Sequence, residues 1–175
     1  MCIRDRHFKV LDMSSEGQQK PGRAAYFHNS LFGYHAAKLG KANELLEFHV
    51  YKNNMNVLNM LNTKYIIAEE QGRIFPYTNT DANGNAWFVS KLKVVENANE
   101  EITALDSLDT KSVAVIDKSI VNDIKTTYKL DSLAKIQLEE FKPNYLKYKS
   151  NNTNDGFAIF SEIYYGNGWL SLIHI

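Results

Sequence analysis

Phe8-Lys-Val-Leu-Asp12 alternates apolar and polar side chains, the period of a half-buried strand. The polar stretch over 14–24 contains Pro21-Gly22 and predicts a loop. From Ala36 the period lengthens. Leu39, Ala42, Leu46 and Val50 recur at spacings of three and four, with Lys38, Lys41, Glu44 and Glu47 on the opposite side, which predicts an amphipathic helix. Gly40 inside it costs about 1 kcal/mol relative to alanine. Asn54 suits the N-cap of a second, short helix that turns Val57, Leu58, Met60 and Leu61 inward. Asn62 and Thr63 end that helix, and Tyr65-Ile-Ile-Ala68 predicts a buried strand. Residues 69–85, with Gly72, Pro76, Asn79, Asp81, Asn83 and Gly84, read as a long surface loop.

The second half opens with one strand predicted from Ala86 to Val95, placing Phe88, Leu92 and Val94 on one face and Lys91 and Lys93 on the other. Asn97-Ala-Asn-Glu100 has capping-box spacing ahead of a short helix whose inner face is Ile102, Leu105 and Leu108. Ser112-Val-Ala-Val-Ile116 reads as a strand covered on both sides. Lys135 to Phe141 and Tyr145 to Lys149 alternate around Lys142-Pro-Asn144, a turn in which proline sets φ and asparagine tolerates a left-handed backbone. A polar turn over 151–156 then leads into Phe157 to Ile163. The fold class expected is α+β: a mixed α/β part over 7–125, then over 126–170 the first antiparallel strands of a truncated sheet or sandwich. Residues 1–6 and 171–175 read as sequencing-adapter read-through, because Tyr164 to Trp169 looks like a strand and turn cut in mid-element. Cys2 would leave with them.

Hydrophobic residues make up 44% and charged residues 23% of the 175-residue chain, an ordinary globular composition. The formal net charge of zero leaves no electrostatic footprint for nucleic acid. No uninterrupted apolar run approaches the roughly 20 residues that span a bilayer. A single cysteine excludes an internal disulfide framework. His28, His35 and His49 lack the spacing of a metal site, so neither a metal nor a cofactor is expected, and His49 is expected to pack with hydrogen bonds beside its helix's apolar face. Tyr26-Phe27-His28 and Phe32-Gly33-Tyr34-His35, with Lys38 a turn later, have two readings. The rings stack on a sugar whose phosphate meets the helix start, or they anchor the helix to the sheet, and the anchoring role is favoured. Tyr164, Tyr165 and Trp169 are likewise either a carbohydrate platform or core residues of the truncated sheet, with the core favoured. Glu69-Glu70, Glu100-Glu101 and Glu139-Glu140 read as structural or solvated; neighbouring acids on a strand point to opposite faces. No catalytic signature is present.

Phe32-Gly-Tyr-His-Ala-Ala-Lys38, Asn56 to Ile67, Gly84-Asn-Ala-Trp87-Phe-Val89 and Ser161-Glu-Ile-Tyr-Tyr165 occur in an order that resembles the C-terminal extracytoplasmic region of YfhO-like bacterial membrane proteins. The likeness runs from Phe8 to Trp169 and departs from the family pattern at Phe32 and over 40–43. It implies a fragment on the extracytoplasmic side of the bacterial cytoplasmic membrane. The whole protein would be a GT-C-type glycosyltransferase that uses polyprenyl-phosphate sugars to modify cell-envelope polymers. The catalytic acids would lie elsewhere, so this segment is expected to bind or orient an envelope glycan or lipid-linked sugar without catalysing transfer. Its partner is the missing transmembrane part of the same protein. Tyr34, His35, Lys38 and Trp169 are the candidate substrate-binding residues. The alternative is a non-catalytic scaffold or interaction module.

Overall fold

The computed structural model describes residues 7–19, 22–31, 33, 38–121 and 124–172, and the side chain of residue 19 is outside that set. The chain is α+β. Strand β1 (Lys9–Asp12) lies parallel to β2 (Thr63–Glu70), which pairs antiparallel with β3 (Arg73–Thr78), giving a sheet of order β1-β2-β3. The segment over 14–24 is not the expected loop: it forms helices α1 (Ser15–Gln19) and α2 (Gly22–Phe27). Ser14 caps α1, its carbonyl accepting from Gln18 N at 2.9 Å and its Oγ from Gly17 N at 3.1 Å.

The helix expected from Ala36 appears as α3 (Gly40–Leu45), and residues 34–37 lie outside the described residues. Gly40 is therefore the first helical residue rather than an interior one, and Leu39, 39% exposed, precedes the helix. The helix widens into a π turn over Leu46–Val50, where Tyr51 N donates to Leu46 O at 2.9 Å. Asn54 caps α4 (Met55–Met60) as expected, its side chain accepting from Asn56 N and Val57 N. Asn62, at φ 56°, turns the chain out of α4 and into β2. Leu11, Val50, Val57, Leu58 and Leu61 form the main core between this helical layer and the sheet.

Part of the predicted 69–85 loop, Arg73–Thr78, is strand β3. Gln71 (φ 51°) and Gly72 (φ 74°) make a two-residue turn of the type that suits right-twisted hairpins. All six residues of β3 are exposed, so the strand lacks the buried alternation that marks most strands. Its outer edge is blunted by Pro76. Asn79 N donates to Lys64 O, which fixes the alternation of the ladder and aims the Pro76 nitrogen away from β2, where a hydrogen-bond donor would otherwise face a passing strand.

The single strand expected over 86–95 is two strands, β4 (Ala86–Val89) and β5 (Lys91–Val95), in different sheets. The break is at Ser90, whose N–H donates to Ser112 O at 2.9 Å and whose carbonyl accepts from Tyr128 N at 2.8 Å. The buried positions are accordingly Val89, Leu92 and Val95, while Val94 is 37% exposed. β5 pairs parallel with β6 (Val113–Asp117) through helix α5 (Ala98–Ala104), and every residue of β6 is half-buried rather than covered on both sides. Asn97 Oδ1 accepts from Glu100 N at 3.0 Å, and the Glu100 carboxylate returns a bond to the N–H of Glu96. The pair β7 (Lys135–Lys142) and β8 (Tyr145–Asn151) forms the expected hairpin. A bulge at Glu139 lets Glu139 meet Lys147 and Glu140 meet Lys142.

Strand β9 (Phe157–Phe160) pairs antiparallel with β4, so sequence on either side of residue 125 shares a sheet. Beyond it, Ser161 N donates to Asn85 O, and Lys9 Nζ donates to Ser161 O at 2.8 Å. Glu162 meets His7 Nε2, which ties the segment before β1 to the one after β9. The His7 hydrogen bond, reinforced by the Lys9 charge, outweighs burial and holds the Glu162 carboxyl below the usual range, whereas burial pulls Lys9 down and pushes Tyr148 up to about 12. A depressed carboxyl stabilises the fold above its ordinary value of 4.5 and loses that contribution as pH falls through the lower, folded value. Unfolding free energies from urea titrations between about pH 6 and pH 3 should therefore fall further for the native chain than for Glu162→Gln, by up to about 1 kcal/mol for this partly exposed pair. Parallel pH profiles would remove Glu162 from the acid response.

Candidate functional site

At the C-terminal end of β1 the chain turns sharply, and the turn leaves a cavity of about 170 Å³ lined by Asp12, Ser14, Arg23, Ala24, Phe27, His28, Ile67 and Ile74. The β1-β2 pair supplies Asp12 and Ile67, the residue that caps α1 supplies Ser14, the hairpin supplies Ile74, and α2 with the residue after it supplies Arg23, Ala24, Phe27 and His28. Asp12 is only 7% exposed and Ser14 only 1%. Asp12 Oδ1 accepts from Ser14 N at 3.1 Å and from Ser14 Oγ at 2.6 Å. Its Oδ2 has no hydrogen-bond partner among the described residues, which leaves Asp12 with acceptor capacity where it lines the cavity.

Gly17 makes the arrangement possible. A Cβ at that position would lie 2.2–2.5 Å from the Asp12 carboxyl atoms, far inside contact distance. Arg23 sits at the rim and is paired with Glu16. Phe27, 71% exposed, stands edge-on to Tyr26, 84% exposed, with ring centroids 4.8 Å apart. A buried carboxylate, a rim guanidinium, an imidazole and exposed rings suit a small polyhydroxylated ligand: the carboxylate accepts from hydroxyls while the rings face C–H groups. The same residues do not form a nucleophilic relay. The Ser14 hydroxyl proton goes directly to Asp12, and no hydrogen bond joins Ser14 to His28 among the described residues.

Tyr34 and His35, two of the residues expected to bind substrate, lie outside the described residues. Lys38 is exposed just before α3. Trp169 is 42% exposed and its indole N–H donates to Ile163 O at 3.1 Å, with Tyr164 77% and Tyr165 47% exposed. These rings are therefore surface residues, not the core residues favoured from sequence. The aromatic pair Tyr26-Phe27 is also at the surface rather than anchored against the sheet. Asp12, Ser14 and Arg23 were not singled out from sequence. Only the Ser14-Ser-Glu-Gly17 start of a capped helix, directly after a strand, carries a signal for them.

His49, 2% exposed, has the packing role expected of it. Its Nε2 donates to Ile102 O at 2.8 Å and its Nδ1 accepts from Asn54 Nδ2 at 3.1 Å. A carbonyl only accepts and an amide nitrogen only donates, so these two contacts assign the donor role to Nε2 and the acceptor role to Nδ1. Among the described residues no group of three or more His, Cys, Asp or Glu gathers in a metal-binding arrangement. No helix of the described residues is long and apolar enough to cross a membrane. Comparison with family models, with curated proteins and with solved structures gives no match.

Proposed function

We propose that this chain is the extracytoplasmic region of a YfhO-like bacterial membrane protein and that it binds or orients an envelope glycan for a GT-C-type glycosyltransferase, without carrying the catalytic acids itself. The observation that carries the binding part of this reading is the cavity at the end of β1, which is lined by a buried Asp12 with one unpartnered oxygen and by the exposed Phe27, whose ring stands edge-on to Tyr26. The family and the membrane context rest on the resemblance of the sequence motifs. In this reading the partner is the membrane-embedded remainder of the same protein, and the ligand is a lipid-linked sugar or the glycan that receives it.

Calorimetric titration of the chain with neutral envelope-type oligosaccharides tests the binding. Asp12→Asn should weaken it about tenfold or more, because a hydrogen bond to a charged acceptor contributes roughly 1.5–3 kcal/mol. Phe27→Ala removes only exposed surface and should weaken binding about fivefold, the range of one ring contact. Unchanged affinity in both variants would remove the cavity from glycan binding.

The alternative, a non-catalytic interaction module, is favoured by the apolar surface that follows β9. Ile163, Tyr164, Trp169 and Leu170 are 45%, 77%, 42% and 81% exposed. If no oligosaccharide binds, and a chain with Tyr164 and Leu170 changed to Ser no longer associates with the membrane part, the alternative replaces the glycan reading.

A further inference from the structure

A second depression lies between β4 and the segment entering β7, about 310 Å³ in volume and lined by Asn83, Trp87, Lys111, Leu130, Asp131 and Lys135 among others. It is larger than the Asp12 cavity and reaches the size range of small-molecule sites, roughly 300–1,000 Å³. One wall is rigid. The Trp87 indole N–H donates to Thr110 O at 3.0 Å, which sets the plane of the ring. Thr110, 5% exposed, is itself held, its Oγ1 donating to Asn56 O at 2.8 Å and accepting from Asn83 Nδ2 at 3.3 Å.

The opposite side carries charge. Asp131 accepts from Leu133 N at 2.9 Å, from Thr153 Oγ1 at 2.7 Å and from Thr153 N at 3.3 Å. Those bonds hold its carboxyl below the usual range and therefore ionised near neutral pH. Each carboxylate oxygen has more than one acceptor site, so Asp131 still has capacity for a ligand hydroxyl. Lys118, Lys125, Lys142 and Lys147 each meet a carboxylate. Lys111 and Lys135 meet none among the described residues, so the groove combines two unneutralised cations, one fixed anion and a flat aromatic wall.

We propose that this groove binds an anionic sugar: a pyranose whose ring lies against Trp87, whose hydroxyls are read by Asn83 and Asp131, and whose phosphate or carboxylate is held by Lys111 and Lys135. The combination decides the ligand class. Two lysines alone would take any anion, and a tryptophan alone any apolar ring. The fixed carboxylate beside them rejects ligands that are negative throughout and accepts those that present hydroxyl donors next to a single anionic group. The groove is distinct from the Asp12 cavity, and it rests on the glycan reading only in the choice of sugars.

The test is a nitrogen–proton correlation spectrum of the chain, following the Trp87 indole N–H and the amides over 83–88 and 130–136 during titration with glucose, glucose 6-phosphate, glucuronate, inorganic phosphate and adenosine monophosphate. Glucose 6-phosphate and glucuronate should both move these signals and bind about tenfold more tightly than glucose; a response to only one of them identifies which anionic group the lysines accept. Lys111→Ala and Lys135→Ala should each weaken the charged sugars about threefold to fivefold, the range of solvent-exposed ion pairs, and leave glucose unchanged. Lys→Arg at either position should restore most of the loss. Added salt should weaken the charged sugars alone. Inorganic phosphate that matches glucose 6-phosphate, adenosine monophosphate that exceeds it, or a Trp87 signal that none of the sugars moves would overturn the proposal. Charged sugars that shift only the Asp12 cavity overturn the groove and leave the function proposed above standing. A Trp87 response in a chain whose Asp12 cavity binds no oligosaccharide does the reverse.

Discussion

His49→Ala is expected to destabilise the chain by about 3 kcal/mol, from lost packing volume and from polar groups left buried without partners. The ring joins the π turn and α4 to the end of α5. Nε2–H donates to the Ile102 carbonyl near the end of α5, which otherwise accepts only a long bond of 3.3 Å from Leu105 N among the described residues. Nδ1 accepts from Asn54 Nδ2, which also donates to Leu105 O at 3.0 Å while Asn54 Oδ1 caps α4. Truncation therefore removes two bonds directly and loosens Asn54, which makes three others. Against a total stability of roughly 5–15 kcal/mol the effect is large. At a slope near 2 kcal/mol/M it would move a urea midpoint by about 1.5 M. His49→Gln, which can still donate to Ile102 O, should recover about half of the loss. If His49→Ala costs less than about 1 kcal/mol, the hydrogen-bonded junction is not what holds α5 against the π turn.

Gly17→Ala is the second large effect, and two principles oppose each other there. Glycine is about 1 kcal/mol worse than alanine inside a helix, so α1 taken alone predicts that the substitution stabilises. The new methyl would arrive 2.2 Å from Asp12 Cγ and 2.3 Å and 2.5 Å from its oxygens. Asp12 cannot swing aside cheaply, because it is 7% exposed and bonded to both Ser14 N and Ser14 Oγ. Overpacking of about 1–3 kcal/mol, together with the loss of the Ser14 bonds, outweighs the propensity gain. A net destabilisation of about 2 kcal/mol is expected, with weaker oligosaccharide binding at the Asp12 cavity. Gly17→Ala that raises the urea midpoint would mean that α1 can move away from β1 at little cost. The Asp12 carboxylate would then not be held by its neighbours.

Gly17 also marks how far a sequence can be read. A glycine two residues after a serine pair is a loop signal by composition, and nothing local says that a carboxylate five positions earlier is buried against it. β3 failed for a related reason: a strand exposed at every position has no alternation to detect, and Pro76 argues against a strand unless it is known to lie on an edge. Ser90 breaks a run that alternates acceptably across it, because its two backbone bonds go to Ser112 and Tyr128, residues that local pattern cannot place. Tyr26, Phe27, Tyr164 and Trp169 have the chemistry of core residues, and their exposure depends on which neighbours the fold supplies.

Local sequence sets the features that depend on neighbours within a helical turn or along one strand. It placed the caps at Asn54 and Asn97, the inward face of α4, the Pro143-Asn144 hairpin turn, a hydrogen-bonded packing role for His49 and the α+β class. These follow from hydrogen bonds and periodicities only a few residues long, which fold the same way wherever they occur. Packing of distant segments is what puts Asp12 and Ser14 in one cavity with Arg23, Phe27 and His28, and Lys111 and Lys135 in one groove with Trp87. It also joined His7 and Lys9 to residues 161–162, since contacts between distant segments depend on how helices and sheets pack rather than on local pattern.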